Sequence, residues 1–218
     1  MTILASVFVP DGIVMAADSR VTLTTTYPNG RECKTVERDN EYKISLLRKG
    51  TVGISYHGKT HIDKKPVPGL LKEFDDKYIN ENDTLEEISK KLHEYMSLHP
   101  GSEVCFIACG YDKGDPIAYT ICEDAYVLNF SNRKPYHAIW RGDIEQVDKR
   151  YSNIDINSNP IPLESAIEFA ELIIKTAIDY EVIKGHNPCG GPIDVLVLTK
   201  GYTKFYKHKN ISLIESEC

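Results

Sequence analysis

At 218 residues, 41% hydrophobic and 27% charged, the chain can bury most of its surface in one large globular domain without disulfide or metal staples. Its formal net charge of -6 leaves no basic footprint, which argues against a nucleic-acid partner. The apolar runs are too short to span a bilayer and the opening MTILASVFVPDG lacks the basic leader of a secretory signal, so no membrane partner is expected either.

The chain opens with a β-rich run over residues 2–9. Pro10-Asp11-Gly12 supplies turn chemistry, and a second apolar run covers residues 13–17, which together predict a β-hairpin. Residues 20–36 continue as strand and loop, with a turn at Pro28-Asn29-Gly30. A further strand pair is expected over 41–47 and 51–56 around Arg48-Lys49-Gly50. Two helices follow. Leu70, Leu71, Phe74 and Tyr78 share a helical face after Pro68-Gly69. Thr84 and Glu87 form a capping box ahead of Leu85, Ile88, Leu92, Tyr95 and Met96. Strands return at 103–111, 117–122 and 126–130, then a short helix over 141–151. The clearest helix spans 163–183, where Ala166, Ile167, Ala170, Ile173, Ile174, Ala177 and Ile178 keep a 3.6-residue period between Pro162 and Gly185. The apolar run 193–199 reads as a buried strand, and 202–207 as its hairpin partner. No internal repeat or low-complexity segment breaks the chain, so residues 1–218 are read as one domain. This order of strands and helices predicts an α+β fold of two stacked antiparallel sheets with helices on their outer faces.

The six cysteines, at 33, 105, 109, 122, 189 and 218, form no CxxC pair and no metal-ligand spacing. Cys105 and Cys109 lie in an apolar strand, where a thiol behaves as a small hydrophobe. Reduced thiols and a cytoplasmic location are expected, although an even count leaves disulfides open.

The chemistry centres on Thr2. Without Met1, Thr2 has a free α-amine with a reference pKa of about 7.7–8.0, which can serve as base toward its own hydroxyl. A lysine ammonium nearby favours the neutral amine and the ionised hydroxyl, and a carboxylate can hold that lysine. Asp18, at the end of GIVMAADSR, lies beside Thr2 at the open end of the hairpin by register. Lys34, in ECKTVE, is the candidate lysine. Taken singly, each residue fits a bland role as well: a small second residue, a strand-end turn former, a solvated lysine.

MTILASVFVPDGIVMAADSRVT, the string Lys34-Thr35-Val36-Glu37, the run from Gly53 to Gly58 and GGPIDVLVLTK together resemble the proteasome β-type subunits and their HslV-type relatives, which are N-terminal nucleophile (Ntn) hydrolases. Thr2 to Asp18 and Asp18 to Lys34 are each 16 positions apart. The resemblance implies a four-layer αββα sandwich and a threonine-type peptidase. Thr2 would be nucleophile and base, Lys34 would lower the pKa of the hydroxyl, and Asp18 would orient Lys34. It further implies an oxyanion hole at the backbone of His57 or Gly58 and a peptide-binding groove at Val21 and Thr22. Support around Thr2 would come from Arg141, Gly142, His186 and Cys189. The chain departs from the family pattern there. Ile139-Trp140-Arg141-Gly142-Asp143, with a bulky Trp and a charged Arg, stands where the family has a loop rich in Gly and Ser that supports the threonine, His186 and Cys189 stand where an Asp and a Ser precede the Gly-Gly pair, and His57 replaces a glycine. The resemblance implies no metal and no cofactor, a peptide or amide substrate, a homo-oligomeric ring, and leaves any ATPase partner unknown. Two alternatives stay open: an Ntn amidohydrolase acting on a small amide, and a non-catalytic proteasome-like structural or binding subunit.

Overall fold

The computed structural model describes residues 2–130, 137–153, 161–183 and 188–209. In chain order the strands before the first helix are β1 (Ile3–Val9), β2 (Gly12–Ala17), β3 (Val21–Thr26), β4 (Glu32–Arg38), β5 (Ile44–Leu47), β6 (Val52–Gly58), β7 (His61–Ile62) and β8 (Lys65–Pro66). Helices α1 (Val67–Tyr78) and α2 (Leu85–Ser97) follow. Next come β9 (Val104–Asp112), β10 (Asp115–Ile121), β11 (Tyr126–Phe130) and β12 (His137–Gly142). The chain then runs through α3 (Glu145–Tyr151), α4 (Leu163–Ile183), β13 (Asp194–Leu198) and β14 (Thr203–Lys207).

Two five-stranded antiparallel sheets form the frame, in the orders β12-β1-β2-β13-β14 and β11-β10-β9-β6-β5. Each has its own apolar cluster against a helix pair. Ile3, Ala5, Val14, Ala16 and Val195 pack with Ala166, Ala170, Ile173 and Ile174 of α4. Ile54, Tyr56, Phe106 and Ile121 pack with Leu70, Phe74, Ile88 and Leu92 of α1 and α2. A third cluster joins the sheets, with Leu4, Phe8, Met15 and Leu196 from one and Ile107, Cys109 and Ala118 from the other.

Because β1 and β2 are covered on both faces, every residue of Ile3–Val9 and Gly12–Ala17 is buried, and the sequence there is almost continuously apolar. Small residues set the spacing. A Cβ at Gly53 would come within 2.6 Å of Met15 Sδ and 2.9 Å of Leu196 Cδ2, so this glycine lets the two sheets approach. Gly12 does the same for α4, where a Cβ would meet Leu163 Cδ1 at 2.9 Å.

The capping box expected at Thr84 is present. Its hydroxyl accepts from the Glu87 amide, and the Glu87 carboxylate accepts from the Thr84 amide. The apolar period of α4 is buried as expected, apart from a partly buried Ile178. Tyr78, by contrast, is half out of the face assigned to it and stacks on Phe74. The expected helix over 141–151 is shorter. Arg141 and Gly142 end β12, which pairs with β1, and the helix starts at Glu145. This strand carries the bulky, polar sequence HAIWRG, so its strand character comes from pairing with β1 rather than from its own pattern.

The expectation of reduced thiols is corrected at Cys105, which is disulfide-bonded to Cys122. Phe106 faces Ile121 in the β9–β10 ladder, so one step outward places the two cysteines across from each other. Cys109 and Cys189 are free and buried, and Cys33 is free and partly exposed. The thiol argument for a cytoplasmic location falls with this bond. Among the described residues no helix is long and apolar enough to cross a membrane.

Candidate active site

Thr2 is nearly buried and leads directly into β1, whose pairing with β2 brings Asp18 to the same end of the sheet. Asp18 is sealed from solvent and takes four donors. Its Oδ1 accepts from the Ile3 amide at 3.1 Å and from Lys43 Nζ at 2.8 Å. Its Oδ2 accepts from the amides of Gly190 at 3.1 Å and Arg20 at 3.3 Å. A buried carboxylate is tolerated when its lone pairs are met in this way and a cation balances it.

That cation is Lys43, not Lys34, and this corrects the assignment made from spacing. The Lys43 side chain is 1% exposed, and its ammonium also donates to the Arg20 carbonyl at 2.7 Å. Lys34 faces Thr24 on the two-stranded ribbon β3–β4, where it is exposed. The ribbon is the reason. Between Asp18 and the lysine that meets it, the chain makes an excursion through β3 and β4, so the equal spacing of 16 residues falls on the ribbon rather than on the sheet. The detectable signal was Lys43 itself, a lone cation immediately before the apolar strand β5.

The segment that delivers Lys43 is pinned from three sides. Arg20 grips Asp39 through two hydrogen bonds, Nε to Oδ1 at 2.6 Å and Nη2 to Oδ2 at 2.7 Å, a bidentate pair that holds the Asp39 carboxyl below its ordinary pKa. The Glu41 amide donates to the Ser19 carbonyl at 3.0 Å. Buried Glu41 accepts from Tyr56 Oη at 2.6 Å and from Arg38 Nη2 at 2.6 Å. Burial, and then the Glu41 charge, push the Tyr56 phenol upward, so it stays a donor. Gly190 completes the arrangement: a Cβ there would fall 2.6 Å from the centre of the Arg20 guanidinium.

A cleft of about 490 Å³ opens over Thr2. One wall is the start of β3, with Val21, Thr22 and Leu23, and the other runs from Gly58 to His61. Thr2, Val21, Thr22 and Gly58, all singled out from the sequence, therefore border the same space. Gly58 has φ +109°, and a Cβ there would lie 2.0 Å from the Glu103 carbonyl oxygen, so the turn admits no side chain. His57 is half-buried in β6. Desolvation, and then the charge of Arg141, push its imidazole below its ordinary pKa.

Arg141 and Gly142 lie at the end of β12, opposite Leu4 and Ile3. Trp140 points to the other face, packs against the α4-side core and donates from Nε1 to Asp148 at 2.6 Å. Its bulk therefore stays out of the cleft. Gly142 has φ +99°, and a Cβ would overlap the Thr2 carbonyl oxygen at 1.8 Å. Cys189 is fully buried, and its thiol is pushed up mainly by burial and next by the Asp18 charge, so it remains protonated and unreactive. His186 lies outside the described residues.

No protein-family model and no curated protein matches this chain.

Proposed function

We propose that the protein is an N-terminal nucleophile hydrolase with the four-layer αββα sandwich of that class, cleaving peptide or amide bonds through Thr2. Cleavage of the Met1–Thr2 bond frees the α-amine. The amine takes the proton of the Thr2 hydroxyl, directly or through one water, and the oxygen attacks the substrate carbonyl. Lys43 stabilises the developing alkoxide electrostatically, and Asp18 holds Lys43. The backbone at Gly58 faces the cleft where an oxyanion would form. An extended substrate lies along Val21 and Thr22 as an added strand.

The single observation that carries this reading is the buried Lys43–Asp18 ion pair at 2.8 Å, anchored to the amide of the residue that follows Thr2. Burying an ammonium and a carboxylate is costly, and such pairs recur where a nucleophile must be tuned. Assembly into a homo-oligomeric ring belongs to the same proposal.

The test is a fluorogenic peptide assay on protein whose mass shows Thr2 as its first residue. Thr2→Ala and Lys43→Arg are each expected to lose at least about 10²-fold in kcat, in line with removal of a group acting on the reacting atoms. Lys34→Ala is expected to keep wild-type activity. Equal activity in Thr2→Ala would refute the proposal.

A further inference from the structure

Asp143 ends the ladder in which Thr2 begins. Its amide donates to the Thr2 carbonyl at 2.8 Å, one step beyond the paired residues Ile3 and Gly142. It therefore stands across from Thr2 at the end of the ladder. Its Oδ2 is buried and has no hydrogen-bond partner among the described residues. The other buried side-chain oxygens in that condition are the hydroxyls of Ser55 and Ser102, so Asp143 is the carboxylate among them. Leaving a carboxylate oxygen buried without a donor is costly, and folded proteins rarely do it. Cutting the Met1–Thr2 bond would turn an amide with one hydrogen into an ammonium with three, a new set of donors at this end of the ladder.

We propose that Asp143 is the positioning residue that receives the free α-ammonium of Thr2 on Oδ2. This rests on the reading of Thr2 as an N-terminal nucleophile, and it assigns a residue to the place that neither Arg141 nor Cys189 can fill. Arg141 is a cation, and Cys189 is a buried, protonated thiol. The charges around the amine oppose each other. Lys43 favours its neutral form and Asp143 its ammonium, and of the groups lining the cleft with Thr2, Arg20, Lys59 and a protonated His61 act with Lys43 while Glu37 and Glu103 act with Asp143. Asp18 is balanced by Lys43, and His57 stays neutral through burial. Asp143 thereby orients the amine and raises the pH above which the neutral form, the one that can take the hydroxyl proton, prevails.

The test is an NMR titration of the Thr2 α-amine in protein beginning at Thr2, which requires no turnover. Asp143→Asn is expected to lower the amine midpoint by about one unit or more, with Asp143→Glu restoring most of it. The acid limb of kcat/KM should move to lower pH in step. A second readout uses the unsubstituted protein: the Asp143 carboxyl should titrate at lower pH in the form that begins at Thr2 than in the form that keeps Met1. An unchanged amine midpoint in Asp143→Asn overturns the proposal. Should that variant not fold, an Asp143 carboxyl indifferent to removal of Met1 overturns it. A shifted midpoint in a protein with no hydrolytic activity would keep the Asp143 contact and refute the hydrolase reading instead, so the two failures are distinguishable.

Discussion

Asp18 accepts two donors on each carboxylate oxygen and sees no solvent, so its charge is fixed by Lys43 and by three backbone amides. Asp18→Asn would leave the Lys43 ammonium buried without a counter-charge. Urea denaturation is expected to show a loss of about 3–5 kcal/mol for this variant, and within about 0.5 kcal/mol of wild type for Lys34→Ala. His57 contributes a pH dependence of definite sign. Burial holds its folded pKa below the ordinary 6.5. As pH falls through about 6.5 the unfolded chain takes up a proton that the folded protein refuses, so the stability present at neutral pH declines on acidification. The slope of urea midpoint against pH below 6.5 is expected to flatten in His57→Gln. Thr2 and Asp18 were legible from the sequence because a tight hairpin fixes their proximity locally. Lys43 was not, since it depends on where the chain lands after its excursion through the ribbon β3–β4, and Asp143 was placed in the stretch near Thr2 without its carboxylate being singled out.

At the scale of elements, local signals read well wherever they stand alone. The Thr84–Glu87 capping box and the apolar period of α4 need no tertiary partner to be recognised, and both are present. The strand His137–Gly142 carries no alternation of its own and is defined by pairing with β1, which is why a helix was expected to begin at Arg141. The Cys105–Cys122 bond was hidden for the same reason, because it depends on the register between β9 and β10. Alkylation under denaturing, non-reducing conditions is expected to label Cys33, Cys109 and Cys189 and to spare Cys105 and Cys122. Reduction is expected to cost about 2–4 kcal/mol of stability, the usual effect of opening a loop of this length. Labelling of Cys105 and Cys122 without reductant would remove the bond from the description.

Over the whole molecule, the site exists because two sheets meet face to face. The inter-sheet cluster draws Leu4 and Met15 against Ile107 and Cys109, Gly53 permits the approach, and the cleft opens at the end where β1 begins. The β3–β4 ribbon then supplies one wall of the cleft, and its far end carries Lys34 outward. The mixed make-up of antiparallel sheets and helices was legible from the order of strand and helix signals, while the identity of the buried lysine was a property of the folded chain alone. The most direct measurement is to treat protein beginning at Thr2 with a peptidyl β-lactone, whose ring opens to an ester on an attacking hydroxyl, and to locate the adduct by peptide mass spectrometry. A functioning Thr2 is expected to carry the adduct stoichiometrically in wild type and at least about 10²-fold more slowly in Lys43→Arg. No adduct on Thr2, or an equal rate in Lys43→Arg, would contradict the central claim.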